Sequence, residues 1–154
     1  MIPKEFCRLV LTSLAGLGNM GYHMAANIRK KIPADQKLII NDINTAACER
    51  FLQEYQAYGI IETAPSPKVV ADKSNVVISM VPTGVHVRQV YLNDETGIIH
   101  ASKDTGRLLL ECSTIDLATA KAVSQKVMHA GLGRYIDGPV SVSLAISCCV
   151  PSND

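Results

Sequence analysis

The sequence predicts an α/β domain in which one doubly wound, mostly parallel sheet carries helices on both faces. Three observations predict it. Short runs of branched aliphatic residues alternate with longer stretches of helical spacing. A glycine-rich turn joins the first run to the first helix. No linker, low-complexity segment or repeat divides the 154 residues. Strands that alternate with helices in this way lie parallel and are joined by right-handed crossovers.

Each element has its own signal. "RLVLTSLA" (8–15) is a short apolar run without helical spacing, and it reads as a buried strand. "NMGYHMAANIRKK" puts Met20, Met24, Asn27, Ile28 and Lys31 on one stripe, a helix closed by Lys30 and Lys31 and stopped by Pro33. "KLIIND" (37–42) is the second strand, and Asn44 or Thr45 caps a helix running to Tyr55. "GII" (59–61) is a short third strand, and "SPKVVADK" (66–73) a short helix with proline in its first turn. The branched run "NVVISMV" (75–81) is a strand that Pro82 and Gly84 end before a helix through "VHVRQVY". After a loop at "NDETG" come the strand "GRLLLEC" (106–112) and the amphipathic helix 116–129, with an Asp cap and a Gly131 stop. "GRYIDGPV" (133–140) supplies the last strand.

Composition narrows the function. Apolar residues make up 47% and charged residues 19%, which describes a globular chain with no disordered bias. A net charge of +1, scattered Lys and Arg, and no Trp leave no field or stacking surface for nucleic acid, nor a basic face for membranes. No stretch reaches the ~18 apolar residues of a membrane span. Cys7, Cys48, Cys112, Cys148 and Cys149 are odd in number and follow no framework spacing. The four histidines lie far apart, so reduced thiols and no metal site are expected. "CRLVLTSLAGL" has the length of a signal-peptide core, but Glu5 and Arg8 interrupt it and cleavage would destroy the motif it enters. A soluble, unprocessed chain is expected, in the cytoplasm or the mitochondrial matrix.

That motif is Gly-x-Gly-x-x-Gly at Gly16, Gly18 and Gly21, with a strand before it and a helix opening from it. Gly16 permits the tight turn, Gly18 lets backbone approach a pyrophosphate, and Gly21 lets helix pack on strand. The amides around Asn19 and Met20 then face the anion at a helix N-terminus, and Leu17 between the first two glycines counts with them as a cofactor residue. Asp42 ends the second strand 21 positions after Gly21, the spacing of a carboxylate that binds adenosine ribose hydroxyls. NAD is preferred over NADP, because the 2′-phosphate calls for an arginine and residue 43 is Ile. These features define a Rossmann-type cofactor domain. The alternatives are a structural turn with Asp42 as a helix cap, and a methyltransferase-type loop that binds adenosine without pyrophosphate.

Four motifs in order carry a resemblance to the β-hydroxyacid dehydrogenase family, and within it to the 3-hydroxyisobutyrate dehydrogenase branch. "GLGNMGYHMAANI" resembles its cofactor signature, and "ISMVPTGVHVRQVY" the segment lining the nicotinamide side. "LLLECSTIDLATA" resembles its Asp-x-Ser-Thr-Ile-Asp block with Glu111 in place of the usual Asp, and "YIDGPVS" the start of its substrate loop. The resemblance implies dinucleotide contacts from Val81, Pro82, His86 and Thr114, and a substrate carboxylate site at Ser141. Pro82 as a strand terminator, Thr114 as a helix cap and Cys112 as a buried apolar residue are the structural alternatives.

The chemistry implied is hydride transfer between a small hydroxyacid and the nicotinamide, with a lysine of a second, all-helical domain as acid/base. None of the nine lysines here lies in such a motif, so no catalytic residue is assigned to this chain. Val142 and Ser143 stand where the family has two glycines, and from there to Asp154 the pattern is lost. The expected layout is a dinucleotide-binding domain over 1–141 and a divergent tail over 142–154. A truncated product, weak or inactive alone, is expected, with a bared apolar face that favours self-association as a homo-oligomer. The alternatives are a non-enzymatic interaction or nucleotide-sensing module, and a semialdehyde or glyoxylate reductase completed by a partner chain.

Overall fold

The computed structural model describes residues 12–140. Six strands form one sheet in the order β3-β2-β1-β4-β5-β6, and every neighbouring pair is parallel. The strands are β1 (Thr12–Ala15), β2 (Leu38–Asn41), β3 (Ile61–Thr63), β4 (Val76–Ser79), β5 (Leu108–Glu111) and β6 (Arg134–Asp137). The helices are α1 (Asn19–Lys31), α2 (Thr45–Tyr55), α3 (Pro67–Asp72), α4 (Gly84–Leu92) and α5 (Leu117–His129). Short 3-10 turns at Gln56–Tyr58 and Ile98–His100 complete the described chain. The strand order reverses between β1 and β4, so the chain winds outward in both directions from that pair. The residue 8–11 part of the first expected strand, the tail 142–154, and Cys7, Cys148 and Cys149 lie outside the described residues.

Alternation along the strands builds two cores. Leu38 and Ile40 of β2 meet Tyr22, Ala25, Ala26 and Phe51 of α1 and α2. Ile39, Val77 and Leu109 point the other way, onto Val70, Val87, Tyr91, Val123 and Val127 of α3, α4 and α5. The first face is covered only in part. Val76, Ile78, Leu108 and Leu110 remain half-buried there, and Ile136 of β6 is 46% exposed.

Two expectations shift. The buried face of α1 is Gly21, Tyr22, Ala25, Ala26 and Arg29, whereas Asn27 and Lys31 of the expected stripe are exposed and Met24 and Ile28 are half-buried. The small residues let the helix lie close on the sheet, a contact that hydrophobicity alone does not weigh. The third strand begins at Ile61 rather than Gly59, because Gly59 (φ +137) is used in the turn where Ile60 bonds Ala34. The remaining elements lie where the sequence puts them, with Ser66 and Asp116 capping α3 and α5.

The N-terminal end of the sheet is pinned by two buried arginines. Arg29 donates to the carbonyls of Gln36 (2.6 Å), Ile60 (2.9 Å), Ile32 (3.1 Å) and Pro33 (2.6 Å). Arg107 donates to those of Ser74 (3.2 Å), Ser102 (3.0 Å) and Leu132 (3.0 Å). Each gathers the loops at the start of one half of the sheet. Burial lowers the pKa of both guanidiniums.

Candidate dinucleotide site

The opposite end of the sheet opens into a cleft of about 760 Å³, where the strand order reverses. Ligands bind at this kind of crevice because helices leave in opposite directions and no element covers the strand ends. Gly16 forms its floor at φ +103, and a Cβ there would lie 2.2 Å from the Met80 carbonyl oxygen. Only glycine allows the chain to turn here against β4. Gly18 differs. Its φ of −62 suits any residue, and nothing lies within 4 Å of where its side chain would point. Its bareness serves space in front of α1, whose first amides have no partner within the helix.

Asp42, at the end of β2, lines the cleft and ties its two loops together. One carboxylate oxygen accepts the Leu17 amide at 2.6 Å and the other the Asn44 amide at 2.7 Å. A carboxylate offers about four acceptor positions, so this leaves capacity for hydroxyl donors. Beside it Ile43, 97% exposed, forms an apolar lip. The wall across from Asp42 includes Pro65 and Ser66 beyond β3 and Gln89, Asn93 and Thr96 on and after α4. No motif marked Pro65, Ser66, Asn93 and Thr96, whereas Gln89 falls within the segment read as lining the nicotinamide side; for Pro65 and Ser66 the signal available was their place after a strand's C-terminal end.

The third side is the Val81–Pro82 lip after β4, with His86 behind it on α4. His86 Nδ1 lies 2.8 Å from Thr83 Oγ1. Beneath the lip runs a buried polar chain. Tyr91 Oη and Ser79 Oγ are 2.8 Å apart, and Ser79 Oγ donates to Glu111 at 2.6 Å. The other Glu111 oxygen accepts the Ser113 amide at 2.8 Å, and Ser113 Oγ accepts the Val81 amide at 2.8 Å. Ser79, Tyr91, Glu111 and Ser113 are all fully buried. Burial raises the Glu111 carboxyl above its ordinary value, and with it the Tyr91 and Tyr135 hydroxyls.

Of the cofactor residues expected from sequence, Gly16, Gly18, Asp42, Val81, Pro82 and His86 line this cleft. Leu17 and Gly21 are buried, Leu17 with its amide on Asp42, while Asn19 and Met20 open α1. Thr114 is exposed and outside the lining, and Asp116 rather than Thr114 caps α5. Its neighbour Ser113 makes the contact to the lip instead. Cys112 is buried. Ser141 lies outside the described residues; before it, the Gly138 and Val140 amides donate to the carbonyls of Glu111, the last residue of β5, and Cys112 just beyond. Among the described residues no helix is long and apolar enough to cross a membrane, and no group of three His, Cys, Asp or Glu is placed to hold a metal.

Fold and cleft together define a Rossmann-type dinucleotide-binding domain. A family model described as the NAD binding domain of 6-phosphogluconate dehydrogenase matches residues 12–145, and the chain belongs to that family. The mitochondrial 3-hydroxyisobutyrate dehydrogenase of Homo sapiens is 36% identical over 126 residues, which are 82% of this chain and 34% of that protein. The 3-hydroxyisobutyrate dehydrogenase of Pseudomonas aeruginosa is 39% identical over 127 residues, or 82% of this chain and 39% of that protein. A solved Mycobacterium tuberculosis 3-hydroxyisobutyrate dehydrogenase with L-serine superposes with a TM-score of 0.70 at 27% identity, over 89% of this chain and 42% of its own. The chain thus spans a little over a third of the length of the curated relatives it matches.

Proposed function

We propose that the chain binds NAD in this cleft as the cofactor half of a 3-hydroxyisobutyrate dehydrogenase-like oxidoreductase. The observation that carries the reading is the meeting of Gly16, Gly18, Asp42 and the Val81–Pro82 lip around one crevice at the strand reversal. The pyrophosphate lies at Gly18 and the first amides of α1, where the helix dipole favours negative charge. Asp42 receives the adenosine ribose hydroxyls and repels a 2′-phosphate, while Ile43 offers the adenine an apolar edge. Val81 and Pro82 exclude water on the nicotinamide side.

A bound nicotinamide supplies hydride exchange at its C4. This chain's part is to hold the ring beside the end of β5, where residues 138–140 lead toward Ser141 and a small hydroxyacid carboxylate. Among the described residues no lysine lines the cleft, and no acid/base is assigned to this chain. The half-covered sheet face around Leu110 and Ile136 favours self-association as a homo-oligomer, which light scattering measures. A mitochondrial matrix or cytoplasmic setting fits the relatives. The test is a fluorescence titration of the full chain with NADH and NADPH. Saturable binding with preference for NADH supports the reading, and no binding at millimolar ligand overturns it.

A further inference from the structure

The Val81–Pro82 lip of the cleft rests on a buried polar chain. Its amide is fastened from below, through a relay that runs across three elements of the second half of the sheet. Tyr91 stands on α4, Ser79 on β4, Glu111 on β5, and Ser113 just beyond β5. Each link lies between 2.6 and 2.8 Å, and every side chain in it is fully buried. Polar groups taken so far from water are costly to bury, and an apolar cluster would fill the same space without that cost. The relay ends on an amide of the cleft wall, so its geometry sets the position of that wall.

Resting on the dinucleotide reading above, we propose that Glu111 is a positioning residue that orients Ser113 to hold the Val81–Pro82 lip for the nicotinamide half of the dinucleotide. Ser113 donates its amide to Glu111 at 2.8 Å while its hydroxyl accepts the Val81 amide, so Glu111 fixes the backbone from which that hydroxyl reaches the lip. Without Glu111 the Ser113 amide loses its acceptor, and the residue that anchors the lip is no longer held in place. The adenosine half is assigned to Gly18 at the start of α1 and Asp42 just after β2, and no hydrogen bond of the relay reaches either. Glu111 therefore affects one half of the ligand and spares the other.

The experiment compares NADH with ADP-ribose, which lacks the nicotinamide, on the full chain and on Ser113→Ala, Glu111→Ala and Glu111→Gln. Ser113→Ala is the mild variant, since it removes one oxygen and keeps the fold's other contacts. Amide exchange at Val81 is read in parallel without ligand. The expected result is a loss of about tenfold in NADH affinity for Ser113→Ala and Glu111→Ala, from the loss of one buried hydrogen bond's worth of order. ADP-ribose affinity stays unchanged, Val81 exchange accelerates, and Glu111→Gln restores both NADH affinity and protection. Parallel loss of NADH and ADP-ribose affinity overturns the proposal in favour of a general structural role. So does faster Val81 exchange with unaltered NADH affinity. If the unsubstituted chain binds neither ligand, the dinucleotide reading itself fails and this inference falls with it.

Discussion

The two ends of the parallel sheet solve opposite problems. At the N-terminal end, Arg29 and Arg107 are buried and spend their donors on carbonyls of the chain's own loops. At the C-terminal end, the chain leaves backbone and acceptor capacity open around a cleft, and its charged residue Asp42 is only half-buried. One end is tied together by side chains, around a hollow of about 600 Å³ that Arg107 lines, and the other is kept open by missing ones. The contrast teaches that stability and binding are separable here, residue by residue.

The largest effect is expected where the tied end is cut. Arg107→Met leaves the buried carbonyls of Ser74 and Leu132, and the more exposed one of Ser102, without this donor. At about 1–3 kcal/mol for each orphaned buried group, a loss on the order of 3 kcal/mol or more follows, read by urea unfolding. NADH affinity per folded molecule should not change. A weakened affinity would break the separation of the two ends.

Gly16 is where the comparison is least clean, because it is a cleft residue with a structural duty. Gly16→Ala puts a Cβ against the Met80 carbonyl at a φ that side chains resist, so it costs about 2–3 kcal/mol and lowers binding together. Gly18→Val separates what Gly16 joins. Its conformation tolerates the substitution, so stability stays within about 1 kcal/mol of the parent. Dinucleotide affinity falls by about 100-fold or more, since the valine fills the space the pyrophosphate needs. Unchanged affinity for Gly18→Val counts against the site. For Asp42→Ala, loss of two amide partners costs about 1 kcal/mol, and the NADH-to-NADPH affinity ratio narrows. An unaltered ratio makes Asp42 a loop clamp alone.

The open end was the more legible in sequence. Glycines at fixed offsets and an acid at a fixed distance are local signals, and they survive being read in one dimension. The tied end was not, because Arg29 resembles any helix-terminal cation until the carbonyls of Gln36 and Ile60 are brought around it. The same holds for the face of α1, where Ala25 and Ala26 bury better than Met24 through close approach to β2. In the site, Thr114 and Ser113 are neighbours in one motif, yet only the buried one holds the lip, and burial on a strand's last residues is a tertiary property. Ser66, Asn93 and Thr96 reach the cleft from loops without any pattern to mark them.

The smallest effect tests whether the relay beneath the lip is held in its neutral form. Glu111 is fully buried, and desolvation raises its carboxyl above the ordinary 4.5 against the opposing pull of Ser113 and Ser79. Tyr91, Tyr135, Asp137 and Cys112 are the other titratable groups around it, and none is a cation. A carboxyl raised in the folded state contributes stability that is fully present below the unfolded value. As pH rises, the unfolded chain ionises first, and that contribution is lost through the folded value. Glu62 acts in the opposite sense. Lys37 and Lys73 hold its carboxyl below the ordinary range, so its contribution is lost as pH falls. The two trends overlap in the parent protein, and Glu111→Gln separates them by removing only the first. The stability of Glu111→Gln relative to the parent should rise from pH 4 upward and level off above the folded value, by about 1.4 kcal/mol for each unit of displacement. Urea unfolding across that range measures it. A difference that stays flat with pH would mean that Glu111 is ionised in the fold as readily as in water, and that the relay is anchored by a charge.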